Sequence, residues 1–200
     1  MRQTIIFATG NAGKMREIRQ MMKGTDVELL SMKEAGIEAD IVEDGTSFEE
    51  NAVIKAKAVA QKTNHIVLAD DSGLEIDYLN KEPGIYSARY LGEDISYDIK
   101  NRNLIERLRG VPDEKRTARF VCAIAAAMPD GETFTTTGVI EGRIGYEQKG
   151  ENGFGYDPIF YLPEYGCTSA QLSEEEKNAI SHRSRALAAM REELGKRIKL

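Results

Sequence analysis

The chain has 200 residues, 41% of them hydrophobic, which is enough for one well-formed core and makes a second full domain unexpected. Its 33 acidic residues outweigh 27 basic ones, for a formal charge of −6, so nothing points to a surface that tracks a nucleic-acid backbone. A polyphosphate ligand would gain nothing from that overall charge and would need locally clustered Lys and Arg or a divalent cation.

The two cysteines, Cys122 and Cys167, lack a close-spaced metal pattern, and Cys122 falls in an apolar run where a reduced, buried thiol is the usual occupant. A cytoplasmic, disulfide-free protein is the expectation. The first apolar run, Ile5 to Ala8, is too short for the core of a signal peptide, and no stretch approaches membrane-spanning length. No membrane partner is therefore expected.

Thr4 to Ala8 reads as a strand, followed by Thr9-Gly10-Asn11-Ala12-Gly13-Lys14 and a helix with Met15, Ile18, Met21 and Met22 at helical spacing. Backbone N–H groups at such a helix start face an anion, and Lys14 adds a point charge in the first turn. The alternative is a plain strand-to-helix turn capped by Asn11. The loop is not a Walker A motif, because only two residues separate Gly10 from Gly13 and Met15 follows Lys14. Val27 to Leu30 is a second strand. Ser47 is an N-cap for a long helix whose small-residue face is Ala52, Ala56, Val59 and Ala60. Just upstream of it, Glu43 ends a short apolar segment, and Lys55 lies two turns in.

Ile66 to Ala69 is an uninterrupted apolar run, expected as a strand buried on both faces that stops at Asp70-Asp71-Ser72-Gly73. Ligands in open α/β sheets collect outside the carboxyl ends of strands, so this carboxylate pair is the first place to look for metal and substrate. An Asx-turn with both acids solvated is the competing reading. Leu74 to Leu79 alternates apolar with acidic, as a half-buried strand does, and Pro83 to Leu91 is an irregular loop with an unusual aromatic load that would suit a homodimer surface. Ile95 to Leu108 reads as an amphipathic helix with Ile99, Leu104, Ile105 and Leu108 inward, stopped at Gly110. Arg119 to Met128, the turn Pro129 to Glu132, and Thr133 to Ile140 form an antiparallel hairpin.

In the last third, Gly153-Phe154-Gly155-Tyr156-Asp157-Pro158 suits a loop lying against a flat ring, with Phe154 as the stacking face, or else a tight turn whose aromatics enter the core. Ser173 to Glu176 is a capping box with Lys177 beyond it, and Ser181-His182-Arg183 opens a final helix with Ala186, Leu187, Met190 and Leu194 inward. Strands alternating with helices, plus a hairpin, give an α/β class with a mixed, elongated central sheet flanked by helices, within a single domain of residues 1–200.

Taken together and in order, six segments resemble the inosine triphosphate pyrophosphatase family, also described as dITP/XTP pyrophosphatases. They are Thr9-Gly10-Asn11 with Lys14, Glu43-Asp44-Gly45 to Asn51-Ala52, Ala69 to Leu74, Pro83 to Tyr90, Gly153 to Pro158, and Ser181 to Arg183. The resemblance implies a Mg²⁺-dependent homodimer with two lobes and a cleft between them. It also implies hydrolysis of non-standard purine triphosphates (ITP, dITP, XTP) to the monophosphate and pyrophosphate. Carried over by position, Asp71 is the catalytic, metal-associated acid and Glu43 a second metal ligand. Thr9, Gly10, Asn11, Ala12, Gly13, Lys14, Lys55, Ser72 and Lys177 are the triphosphate contacts, and Phe154, Gly155, Tyr156 and Asp157 with His182 and Arg183 form the base pocket. A γ-phosphate-cleaving NTPase and a nucleotide-binding sensor are the alternatives.

Overall fold

In the computed structural model, which describes residues 3–198, the first apolar run forms β1 (Gln3–Phe7), and its turn leads into α1 (Ala12–Met21). Then follow β2 (Val27–Ser31), α2 (Phe48–Ala60), β3 (Ile66–Ile76), α3 (Tyr97–Arg107) and the hairpin β4 (Thr117–Ala127) and β5 (Thr133–Ile144). Two short strands, β6 (Phe160–Leu162) and β7 (Cys167–Thr168), precede α4 (Glu174–Ile180) and α5 (His182–Gly195). The strands form one seven-stranded sheet in the order β2-β1-β3-β4-β5-β6-β7. It is mixed: β1 is parallel to β2 and β3, whereas β6 is antiparallel to β5 and β7.

The chain divides into two compact units, each with its own apolar core. The first comprises residues 1–71, 122–138 and 182–200, the second residues 72–121 and 139–181, so the division falls inside β3, β4 and β5. The first core gathers Ile5, Phe7, Ile18, Ile66, Leu68, Ile124, Leu187 and Met190. The second gathers Leu74, Ile76, Leu104, Leu108, Ile140, Ile159, Phe160 and Leu172. Every inward position expected in the last helix (Ala186, Leu187, Met190 and Leu194) is buried, because a 3.6-residue period puts them on one stripe.

Two expected elements differ. The strand from Ile66 does not stop at the two acids but continues through them to Ile76 as one 11-residue strand. What ends there is its parallel neighbour: β1 registers with β3 only as far as Phe7 opposite Leu68. Asp70 and Asp71 therefore stand just past the carboxyl end of β1, and buried cations rather than solvent compensate Asp70, so the backbone has no reason to break. In α3 and at its C-cap, Leu104 and Leu108 are buried as expected, but Ile99 points outward at 51% exposure while Lys100 and Asn101 are buried. Lys100 donates to the Ala88 carbonyl (2.6 Å) and Asn101 to the Gly155 carbonyl (3.1 Å), so that face anchors loops by hydrogen bonds where the apolar count expected packing.

Among the described residues, no helix is long and apolar enough to cross a membrane. Both cysteines are free thiols. Cys122 is buried within β4, which pushes its pKa up to about 12 and makes it unreactive.

Candidate active site

The turn after β1 is held by its own polar groups. Asn11 is the N-cap of α1, accepting from the Lys14 backbone N–H at 3.1 Å, while its own N–H donates to Thr9 Oγ1 at 3.1 Å. Capping points the first turn of α1 toward the acids of β3, and the Lys14 ammonium lies 2.9 Å from Asp70 Oδ2. One turn further along α1 is Glu17, buried and ion-paired with Arg183 from the first turn of α5. The Arg183 guanidinium reaches on to Asp70 Oδ2 at 3.5 Å. Lys14, Asp70, Arg183 and Glu17 thus form a buried chain of alternating charge that ties α1, β3 and α5 together.

The adjacent acid faces a different set. Asp71 Oδ1 lies 3.4 Å from the Lys55 ammonium on α2, and the same ammonium lies 3.1 Å from Glu43 Oε2. Asn51, fully buried one turn before Lys55, donates from Nδ2 to Asp71 Oδ2 at 3.2 Å and accepts the Gly45 N–H at Oδ1 (2.9 Å). Ser47 seats the start of α2 by accepting the Glu50 N–H. Glu43 and Asp71 therefore converge on one shared cation, the Lys55 ammonium.

These surroundings push two neighbouring carboxyls apart. Burial alone would raise both. At Asp70 it is outweighed by Lys14, Arg183 and Lys55, which hold the carboxyl far below the usual Asp range. At Asp71 burial prevails, Lys55 and Lys14 oppose it only in part, and Glu43 adds repulsion, so the carboxyl sits above its ordinary value. Lys55 shows the converse: burial disfavours its charge, but Asp70, Asp71 and Glu43 together keep it more firmly protonated than a free lysine. Glu43 and Asp71 share one positive charge between two negative ones, which makes them the donor pair able to hold an added cation. Among the described residues no cluster of three or more His, Cys, Asp or Glu is arranged to do so.

The second unit carries the glycine-aromatic loop. Asp157, buried at its end, accepts the Phe154 N–H (2.9 Å), the Ser169 hydroxyl (2.7 Å) and the Lys177 ammonium (2.6 Å). Lys177 also lies 4.9 Å above the Phe154 ring. Gly153 has φ +74°, and a Cβ there would sit 2.2 Å from Asp157 Oδ2, so only glycine permits this closure.

Several expected site residues are brought together and others are redirected. Thr9 to Lys14, Glu43, Lys55 and Asp71 lie in the first unit, and Ser72 is the first residue of the second. Lys177, expected among the phosphate contacts, has its ammonium engaged by the buried Asp157 carboxylate. Tyr156, expected in the base pocket, is only 4% exposed: its ring packs in the second core and its hydroxyl donates to the Ser87 carbonyl at 2.6 Å. His182 and Arg183 fall in the first unit, apart in the chain's division from Phe154 to Asp157. Arg183 is engaged by Glu17 and Asp70, because two buried carboxylates hold a guanidinium more strongly than any neutral acceptor would. Glu17 and Asn51 were missed. Each was visible as a polar residue on an inward helical stripe, Glu17 beside Ile18 and Asn51 between Phe48 and Ala52.

The model of the Ham1 family matches residues 5–193. A protein of Exiguobacterium sibiricum named dITP/XTP pyrophosphatase is 52% identical over 185 residues, covering 92% of each chain. One of the same name from Caldanaerobacter subterraneus is 49% identical over 195 residues, covering 97% of each. The solved structure of the Staphylococcus aureus Ham1 protein superposes with a TM-score of 0.87 at 42% identity, covering 98% of this chain and all of that one.

Proposed function

Because this chain belongs to the Ham1 family, we propose that it hydrolyses non-standard purine nucleoside triphosphates (dITP, ITP and XTP) to the monophosphate and pyrophosphate, cleansing the cytoplasmic nucleotide pool. The observation that carries the reading is the meeting of Glu43 and Asp71 on the single Lys55 ammonium, beside the Lys14–Asp70 pair. Two carboxylates and one cation leave a net negative charge formed from hard oxygen donors, which suits Mg²⁺, an ion usually bound by one or two carboxylates together with substrate phosphates. When bound, Mg²⁺ would neutralise phosphate charge that this acidic protein cannot.

The chain's own residues then do the following. Asp71, the carboxyl that burial and Glu43 hold above its usual range, orients a water toward the α-phosphorus and accepts its proton. An ammonium has three donors, so Lys55 and Lys14, each held among carboxylates, can also donate to phosphate oxygens and stabilise the departing pyrophosphate. Asp70, held ionised by Lys14 and Arg183, serves as a fixed negative charge that keeps both cations in place. Phe154, half-buried at the tip of a loop braced by Asp157, offers a ring face for a purine. Hypoxanthine and xanthine carry an acceptor at C6 where adenine carries a donor, so N–H donors facing that edge would exclude ATP by leaving buried donors unpaired. His182 is the donor proposed for this role, since Arg183 is held by Glu17 and Asp70.

The second unit exposes Tyr86 (56%) and Leu91 (48%) in the loop that the sequence marked as a partner surface, which supports a homodimer. The deciding experiment is a panel of nucleoside triphosphates assayed with and without Mg²⁺ for pyrophosphate and orthophosphate separately. Pyrophosphate from dITP and XTP, dependent on Mg²⁺ and weak with ATP, is the expected outcome. Orthophosphate would establish cleavage at the γ-phosphorus, and no turnover would leave a nucleotide sensor.

A further inference from the structure

Asn51 occupies an unusual place: fully buried on the inward stripe of α2, where its neighbours Phe48, Ala52 and Ala56 are apolar, yet its side chain spends both of its functional ends. One end meets the loop that carries Glu43, the other meets Asp71. We propose that Asn51 is a positioning residue of the reaction: a single amide that sets Glu43 and Asp71 in register with each other and fixes which oxygen of Asp71 remains for chemistry. The proposal rests on the reading of Glu43 and Asp71 given above.

The orientation of the amide follows from its partners. A backbone N–H can only donate, so the Asn51 atom 2.9 Å from the Gly45 nitrogen must be its oxygen. The NH₂ group is then the one facing Asp71, and it donates to Oδ2. Oδ2 is thereby occupied as an acceptor, while Oδ1 is the oxygen facing Lys55. Each oxygen of Asp71 has its own donor, so the carboxylate cannot rotate without losing one. The same amide holds the backbone two residues beyond Glu43, and it approaches so closely that a Cβ at Gly45 would lie 2.7 Å from Asn51 Oδ1 and 3.0 Å from its backbone nitrogen. Glycine at position 45 is what admits the bridge.

A residue that merely satisfied the Gly45 N–H could be any acceptor. Only a side chain with an acceptor and a donor on one rigid plane serves both ends, and Asn does so at this length. Asn51→Asp separates the two duties, since it keeps an acceptor for Gly45 and removes the donor to Asp71. Asn51→Ser, short and uncharged, can span neither gap fully.

Both variants are to be compared with the unmodified protein by three measurements. These are steady-state kinetics with dITP, calorimetric binding of Mg²⁺ in the presence of a non-hydrolysable ITP analogue, and thermal melting by circular dichroism. Misplacing a reacting group by about 1 Å costs on the order of 100-fold, so kcat is expected to fall about 10- to 100-fold in both variants with KM changed less than about threefold. In Asn51→Ser, Mg²⁺ binding should also weaken several-fold, because the Glu43 segment loses its tie. A folded variant that keeps kcat within about twofold of the original overturns the proposal. So does unaltered Mg²⁺ affinity in Asn51→Ser, and so does failure of both variants to fold, which would make Asn51 part of the scaffold alone. Absence of pyrophosphate release by the unmodified protein would instead sink the proposed function, and the Mg²⁺ comparison would still report on Asn51.

Discussion

The charged cluster of the first unit and the Asp157–Lys177 pair of the second are built from the same residue types but balanced differently. Asp157 and Lys177 are matched one to one, with side chains only 3% and 8% exposed, and the remaining oxygen of Asp157 is taken by Ser169. Around Asp71 the arrangement is more open. One ammonium serves two carboxylates, and Glu43 keeps 31% of its side chain open to solvent. A closed pair holds a loop in shape, and losing either partner leaves a buried charge. The group around Asp71 stays open to solvent, which is where the proposed cation and substrate would enter. The difference teaches that charge density alone does not mark a candidate site; shared charge beside solvent does.

The most severe way to break this contrast is Asp71→Asn. Turnover should fall by about 10²- to 10⁴-fold, the usual weight of a general base, with nucleotide binding largely kept. Because burial and Glu43 disfavour ionised Asp71, the same change should raise the melting temperature of the protein in EDTA. A site built for catalysis carries that cost in its resting state, and an unchanged or lower melting temperature would remove the claim.

Lys177→Met tests the opposite member. It strands Asp157 without its ion-pair partner, and breaking such a buried pair costs about 3–5 kcal/mol. Urea unfolding should show a loss of that size, whereas Lys55→Met, removing a cation from a partly open group, should cost less stability and more turnover. Equal losses of stability would erase the distinction between the two regions.

Gly138→Ala addresses how the first cluster is assembled. A Cβ at that position on β5 would lie 2.1 Å from the His182 carbonyl and 2.4 Å from the Ala186 nitrogen, so the first turn of α5 must move, carrying Arg183 with it. Overpacking of this kind costs about 1–3 kcal/mol, measurable as a shift in denaturant midpoint.

The smallest effect is in the pH dependence. Asp70 is held below its unfolded value of about 3.9, so its contribution to stability is fully present above that pH and is lost as pH falls through the depressed folded value. Asp70→Asn should therefore be less stable than the parent at neutral pH, with the gap narrowing as the medium is acidified below about pH 4. Denaturant midpoints between pH 3 and 7 would show whether the curves approach.

Much of the architecture was legible in the residues. The periods of α1 and α5, the Ser47 and Ser173 caps, the hairpin around Pro129 to Glu132 and the two acids following Ile66 to Ala69 are local signals, governed by side-chain spacing and backbone preference, and they emerged as read. The acids' place beside Ala69 was legible too, but the end of the strand was not, because what ends at Leu68 is a pairing with β1 and not the strand itself. On α3 and at its C-cap, Leu104 and Leu108 are buried as expected, but Ile99 is not, because Lys100 and Asn101 take inward positions and find their acceptors on loops distant in sequence, at Ala88 and Gly155.

The sequence by itself determined the family, the order of elements and the carboxylates worth watching. Only the tertiary structure decided that Asp70 is tied to Lys14 and Arg183 while Asp71 shares Lys55 with Glu43, and that Asn51 joins the two ends of that arrangement. The reason is physical. Helical or strand periodicity fixes which way a side chain points from its own element, whereas a charge's state depends on every other charge within a few ångströms, and those come from segments that meet only on folding.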